Sequence, residues 1–394
     1  MQAKTTPNWH GICLRLSVNP TQQQKHMQAT ENANLNFLQQ ELRVIAQLGL
    51  GVLLIGFGVF SVAEDWQLAG LWLFRASLIW AYVCLCVWRR LPLNRASLEA
   101  PLYGSLGWGN RLTILRGGFI ALTGGFLFMQ QTLAAYLWLP ALFYTLAAIL
   151  DRLDGFAARR SGQVSLLGNE LDITFDALGL VIAPLLAIGL GKLHGSYLLL
   201  SVAYYVYRWG LQRRRLLGLP LYDLPGNPLR RSLAGFQMAF VAVALWPLLD
   251  PELTAIAGIA FMLPVLFGFA ADWWVVCGRL TPLAYERLAN WSEQYFQPGL
   301  RLLLPLLLVL LIPDAIDTAG KLLVLGAALV LLGLAGRLGA LIVIVALGWH
   351  YPHDSDPVVS YCLIFSASWI LLLGTGRYSL WRWGDDWIQR YDGA

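Results

Sequence analysis

Residues 151–176 read DRLDGFAARRSGQVSLLGNELDITFD and hold four aspartates, Asp151, Asp154, Asp172 and Asp176. Asp151 and Asp154 lie three apart and Asp172 and Asp176 four apart, spacings that put each pair on one face of a helix. Two helices running antiparallel through a short connection would bring all four carboxylates together. Unneutralised, such a cluster is strongly repulsive. Hard divalent cations with oxygen ligands are the direct remedy, and carboxylate sites for Mg²⁺ commonly also hold a phosphate substrate. Gly155 and Gly168 leave room for close backbone approach, as phosphate- and base-binding turns require. Arg159 can form paired hydrogen bonds to phosphate or to another carboxylate.

The elements that must position these acids are built for lipid. The 394-residue chain is 57% hydrophobic and 13% charged, and several apolar runs approach the roughly 20 residues that cross a bilayer. The fold class expected is all-α, a polytopic helical membrane protein. Spans are predicted at about 44–63, 68–88, 112–132, 135–150, 171–191, 196–211, 232–249, 253–276, 302–313, 319–336, 338–350 and 358–374. The N-terminus lacks a basic segment followed by an apolar one, which argues against a cleaved signal peptide. Five scattered cysteines form neither a CxxC pair nor a Cys/His cluster, so zinc is not indicated. The net charge of +5 comes from basic residues at helix ends rather than a stripe with stacking aromatics, and nucleic acid is not a partner on this pattern.

Charge also orients the chain. Arg43, Arg89 and Arg90, the arginines of the aspartate stretch, Arg213 to Arg215, Arg230 and Arg231, Arg279, Arg301, Arg337 and Arg377 fall on alternate turns, with acids such as Glu64, Asp65, Asp250 and Glu252 on the turns between. Basic loops stay cytoplasmic, so both termini and residues 151–176 are expected on that side of a bacterial inner (plasma) membrane. Arg75, inside the second span, is the exception and must snorkel or pair within the bundle. The pattern divides into a polar tail and helix at 1–40, two N-terminal spans at 41–95, a central bundle at 96–280 and a C-terminal four-span unit at 281–394, with the polar stretch TPLAYERLANWSEQYFQPGL at the last boundary. The C-terminal RYSLWRWGDDWIQRYDGA, rich in Trp and Arg, suits the membrane surface.

The aspartate stretch resembles the signature of the CDP-alcohol phosphatidyltransferase family. Asp151, Asp154, Gly155, Ala158, Arg159, Gly168, Asp172 and Asp176 fill every fixed position at the family spacing. Upstream, GNRLTILRG (109–117) is similar to an Asn-x-x-Thr-x-x-Arg segment of the family, with Asn110, Thr113 and Arg116. Downstream, RRSLAGFQM (230–238) and GFAADWWVVCG (268–278) are looser matches, so the resemblance covers about residues 100–280, six spans. The last hundred residues loosely resemble a DoxX-type four-helix unit, with no chemistry carried over.

The resemblance implies metal-dependent transfer of a substituted phosphoryl group from a CDP-alcohol to an acceptor hydroxyl, with release of CMP, in phospholipid biosynthesis. It implies that Asp151, Asp154 and Asp172 ligate Mg²⁺ or Mn²⁺, that Asp176 completes a second metal position and acts as general base, and that Gly155, Ala158, Arg159 and Gly168 line the cytidine-diphosphate site with Asn110 and Thr113 nearby. Arg116, Arg208, Arg230 and Arg231 are candidates for the acceptor pocket. The partners implied are CDP-diacylglycerol or another CDP-alcohol, a hydroxyl acceptor, membrane lipids and a second copy in a homodimer. Ala-Ala-Arg-Arg-Ser at 157–161, where choline- and ethanolamine-type members carry Gln-Ala-Arg-Arg-Thr, favours CDP-diacylglycerol.

Blander readings stand beside these. One acid such as Asp172 can be a first-turn residue favourable with the helix dipole, the basic runs can serve orientation alone, and HYPHDSD (350–356) reads as a solvated turn. Asp272, among tryptophans and apolar residues, fits either core support or substrate contact. The chain as a whole could instead be an ion-coupled transporter or a catalytically silent accessory protein. Transport sites, however, lie near the midplane in broken helices, whereas these acids sit at helix ends among arginines.

Overall fold

A computed structural model describes residues 20–63, 65–129, 136, 138–224, 228–311, 318–349 and 357–381. Among them the chain is helical, with no strand beyond one isolated bridge, Leu334–Trp381. The helices are α1 (Pro20–Ala63), α2 (Trp66–Arg90), α3 (Gly107–Gly124), α4 (Trp138–Arg160), α5 (Leu166–Gly189), α6 (Leu199–Leu216), α7 (Pro228–Ala244), α8 (Pro251–Val276), α9 (Pro282–Trp291), α10 (Gln297–Leu311), α11 (Thr318–Leu332), α12 (Gly336–Trp349) and α13 (Pro357–Leu373). A helix stands at every predicted span, and four stretches, Gln28–Ala63, Trp66–Leu93, Leu166–Gly189 and Pro251–Val276, are long and apolar enough to cross a membrane. The protein is an all-α polytopic membrane protein. HYPHDSD and residues 382–394 of the tail lie outside the described residues.

The polar segment before the first span is not separate from it. From Pro20 it forms one helix with the span, and its polar side chains fasten it to the 94–106 loop. Glu31 pairs with Arg95 at 2.5 Å, and Asn34 Nδ2 donates to the Leu102 carbonyl at 3.0 Å. The third span also differs from expectation: α3 ends at Gly124, and Gly125 to Phe128 turn before α4. Consecutive glycines weaken the helix there, and Arg75 adds to the turn by donating to the Leu127 carbonyl at 2.5 Å. Arg75 therefore pairs within the bundle.

α3, α4 and α5 form the centre. α3 and α4 approach closely because Gly109 faces Ala158; a Cβ at Gly109 would sit 2.7 Å from the Ala158 Cβ and 3.2 Å from the Asp154 carbonyl oxygen. α1 packs on α2 and α2 on α3, which places the N-terminal pair along one flank. On the other flank α13 packs against α8, with Trp369 Nε1 donating to the Ala260 carbonyl at 2.9 Å and the Tyr361 hydroxyl to Glu252. Within the C-terminal helices, Arg301 is buried and donates to the carbonyls of Val330 and Leu331 at the end of α11, satisfying acceptors that a helix end leaves open.

Gly109→Ala should lower stability by about 1–3 kcal/mol, the usual cost of forcing a methyl into a filled contact. Thermal or denaturant unfolding of the detergent-solubilised protein, followed by tryptophan fluorescence, measures it; an unchanged midpoint would contradict the close crossing.

Candidate metal and phosphate site

α3 brings one stripe to the centre. Asn110, Thr113 and Arg116 are spaced i, i+3 and i+6 and are all buried, Arg116 with no exposed surface at all. α4 supplies Asp151, Asp154, Gly155, Ala158 and Arg159 from its last turns, and α5 supplies Gly168, Asp172 and Asp176 from its first three. The antiparallel arrangement expected from the spacing is thus present, and the four acids converge.

They converge on Arg116. Its Nη1 contacts Asp151 Oδ1 and lies 3.0 Å from Asp172 Oδ1 and 3.7 Å from Asp154 Oδ2. Its Nη2 lies 3.1 Å from Asp176 Oδ1 and donates to the Asp172 carbonyl at 3.0 Å. A buried guanidinium is tolerated only when such partners surround it. Sequence spacing placed Arg116 among candidates for an acceptor pocket; the structure places it at the middle of the carboxylates.

One guanidinium does not balance four carboxylates. Asp151, Asp172 and Asp176 each offer an oxygen, and these oxygens all lie within 4.8 Å of one another. An all-carboxylate oxygen set with excess negative charge has the donor chemistry that Mg²⁺ or Mn²⁺ selects, so these residues fit a divalent cation. Asp154 is held differently. It is buried, and its Oδ2 accepts a hydrogen bond from the Thr113 hydroxyl at 2.8 Å, which fixes its rotamer from α3.

Around the acids, Asn110 anchors the entrance of α5. Its Nδ2 lies 2.9 Å from Asn94 Oδ1, 2.8 Å from the Leu106 carbonyl and 3.1 Å from Ser165 Oγ. Ser165 is the N-cap of α5, accepting from Gly168 N at 3.0 Å. A Cβ at Gly168 would come 2.8 Å from Asn110 Oδ1, so only glycine lets this junction close. Asn94 and Ser165 were not found by the sequence reading. Ser165 does carry a signal, a serine just before an apolar helical run; Asn94 has none, since its partners, Tyr103, Ser105 and Asn110, lie across an irregular loop at no helical spacing.

The remaining candidates separate. Ala158 turns toward Gly109 in the α3–α4 contact. Gly155 is half-buried with the Arg159 guanidinium against it, Nη1 being 3.3 Å from where a Cβ would stand, and Arg159 itself is exposed beside the cluster. Arg208 is exposed on α6. Arg230 and Arg231 begin α7, but their side chains lie outside the described residues. Asp272 is buried in α8.

Residues 108–275 match the family model described as CDP-alcohol phosphatidyltransferase, the same segment that carries the aspartates. The match begins in the first turn of α3 and ends with α8, leaving α1, α2 and α9 to α13, the DoxX-like part included, outside it. No curated protein and no solved structure matches the chain.

Replacing Arg116 with Gln should destabilise the metal-free protein by about 3 kcal/mol, because buried Asp154 and the half-buried Asp151, Asp172 and Asp176 then repel one another without the guanidinium that pairs with all four. Mn²⁺ should restore a larger share of the melting temperature to this variant than to the parent. Melting in chelator against melting in Mn²⁺ measures both effects.

Proposed function

We propose that this CDP-alcohol phosphotransferase bundle transfers a phosphatidyl group from CDP-diacylglycerol to a hydroxyl acceptor, with divalent metal, and releases CMP on the cytoplasmic side of the membrane. The observation that carries the reading is the convergence of Asp151, Asp172 and Asp176 at the helix ends of the matched segment. Asp151, Asp154 and Asp172 would hold metal, with Asp176 at a second position. The metal would offset the charge of the diphosphate and of departing CMP.

The chain's own part is mostly positioning, as phosphoryl transfer requires. Thr113 and Arg116 hold the carboxylates at fixed rotamers, Gly155 keeps the backbone open to the nucleotide, and Gly168 serves that site by seating the start of α5 on Asn110. The exposed Arg159 is placed for the diphosphate. The acceptor oxygen attacks the phosphorus that carries the lipid, its proton passes to the Asp176 carboxylate, and the bond to CMP breaks. Arg208, Arg230 and Arg231 are assigned to the acceptor side.

Orientation is supported by basic last turns. α2 ends on Arg89 and Arg90, α4 on Arg159 and Arg160, and α6 on Arg213, Arg214 and Arg215. These ends lie at the level of the aspartates, where a lipid donor entering between helices could meet a water-soluble acceptor. The same reading sets residues 96–280 as the catalytic unit, flanked by the N-terminal helices and the 281–394 unit, and admits a homodimer.

CMP release by purified protein given CDP-diacylglycerol, Mg²⁺ or Mn²⁺ and a panel of alcohols tests the proposal. Acceptor-dependent CMP is expected, lost on chelation and reduced at least about 10²-fold by Asp176→Asn, the lower end of what a positioned base contributes. Asp172→Asn should abolish it and weaken Mn²⁺ binding as well. If folded protein binds no cytidine nucleotide and releases no CMP, the transferase reading fails in favour of a transporter or accessory role.

A further inference from the structure

A cavity away from the aspartates involves the two helices that precede the matched segment. α1 and α3 both pack on α2, and a trough of about 780 Å³ lies between them. Val44, Leu48 and Val52 of α1 form one wall and Leu115, Phe119 and Leu122 of α3 the other. Trp80 of α2 is the floor. Its single donor, Nε1, is spent on the Ala46 carbonyl at 3.2 Å, so the trough is apolar along its length.

One end is charged. Glu41 Oε1 pairs with Arg111 Nε at 2.7 Å, and Glu41 Oε2 accepts from the backbone N–H of Leu106 at 3.0 Å. The Arg111 guanidinium stands over the Trp108 ring, 5.2 Å from its centroid. Glu41 is nearly covered, at 13% exposure, whereas Arg111 is 40% exposed, and its two terminal nitrogens have no partner among the described residues. The mouth therefore presents the paired edge of a guanidinium, a geometry that matches two oxygens of a phosphate.

The length is informative. Below the charged end the walls run from Glu41 to Leu53 and from Arg111 to Leu122, with Phe37 and Gln40 above it, about 16–18 Å at 1.5 Å per residue. That is close to half of the roughly 30 Å hydrocarbon thickness of a bilayer. A phosphate-binding mouth above an apolar trough one leaflet deep has the profile of a membrane lipid.

We propose that the trough is a binding site for one diacyl phospholipid, its phosphate on Arg111 and an acyl chain lying on Trp80 between α1 and α3. The chain moves from hydrocarbon to hydrocarbon and gains little by burial, so selection rests on the phosphate. A helix of a second copy in the same place would have to bring its own acceptor to the Arg111 nitrogens, because a cation covered and unpaired in the membrane is costly. The site lies on the opposite side of α3 from Arg116, so it stands or falls apart from the transferase reading.

The test uses the full chain in bilayer nanodiscs with a trace of phosphatidylethanolamine carrying a diazirine in one acyl chain. A diacylglycerol with the same chain serves as the probe without phosphate. After irradiation, labelled peptides are mapped by mass spectrometry. The phospholipid should label residues 44–52 and 115–122 several-fold above other lipid-facing segments, and above the diacylglycerol. Gly118→Leu should suppress that labelling several-fold. A Cβ there finds only an ordinary contact, 3.5 Å from the Trp80 ring, so the fold tolerates it while the longer side chain fills the trough. Arg111→Gln should remove the difference between the two probes. Even labelling around all lipid-facing helices, equal labelling by diacylglycerol in the parent protein, or copies cross-linked through α1 would each overturn the proposal.

Discussion

A guanidinium buried among four carboxylates is the constraint on which the centre of this protein depends. Arg116 comes from α3, Asp151 and Asp154 from α4, and Asp172 and Asp176 from α5. A guanidinium with no exposed surface needs carboxylate partners, so the three helices must meet within hydrogen-bonding distance of it. Several local features follow from that demand. Gly109 lets α3 and α4 touch, Gly168 lets the start of α5 sit on Asn110, and Ser165 closes that start with a cap. The same arrangement leaves negative charge in excess, which a hard cation would offset. Structure and chemistry at this site are therefore one electrostatic problem.

The part of this that was legible in the sequence is the part encoded by short spacing. Two aspartates three apart and two four apart, at the ends of apolar runs, declare helix faces before any coordinates exist. Apolar periodicity and length likewise mark where the helices stand. Arg116 was visible only as one basic residue of a motif, because its partners are 35 to 60 residues away and spacing says nothing about which helix packs on which. Asn94 is hidden because its partners, up to 16 residues on, are set by the path of an irregular loop. The end of α3 was misplaced because Gly124 and Gly125 look apolar in a window of hydropathy, while the backbone reads them as a place to turn.

The added helices are tied to the central bundle on opposite flanks. Glu41 of α1 grips the first turn of α3 through Leu106 and Arg111, next to Asn110 and hence next to the aspartates. The C-terminal helices are joined at the far end, where α8 begins: Asp250 N donates to the Gly348 carbonyl at 3.4 Å and Tyr361 donates to Glu252. Lys192 braces that far end as well, donating to the Trp246 carbonyl at 3.3 Å. Movement in α1 would thus reach the aspartate end directly, through a few polar contacts on a short stretch of α3. The C-terminal helices have a route of their own, since the Arg337 guanidinium of α12 stands over the Phe236 ring of α7 and Gly235 beside it meets the Arg152 guanidinium, next to Asp151. Both additions thus reach the aspartates through one intermediate side chain: α1 through the Arg111 ion pair, one residue from Asn110, and α12 through Phe236 and the neighbour of Arg152.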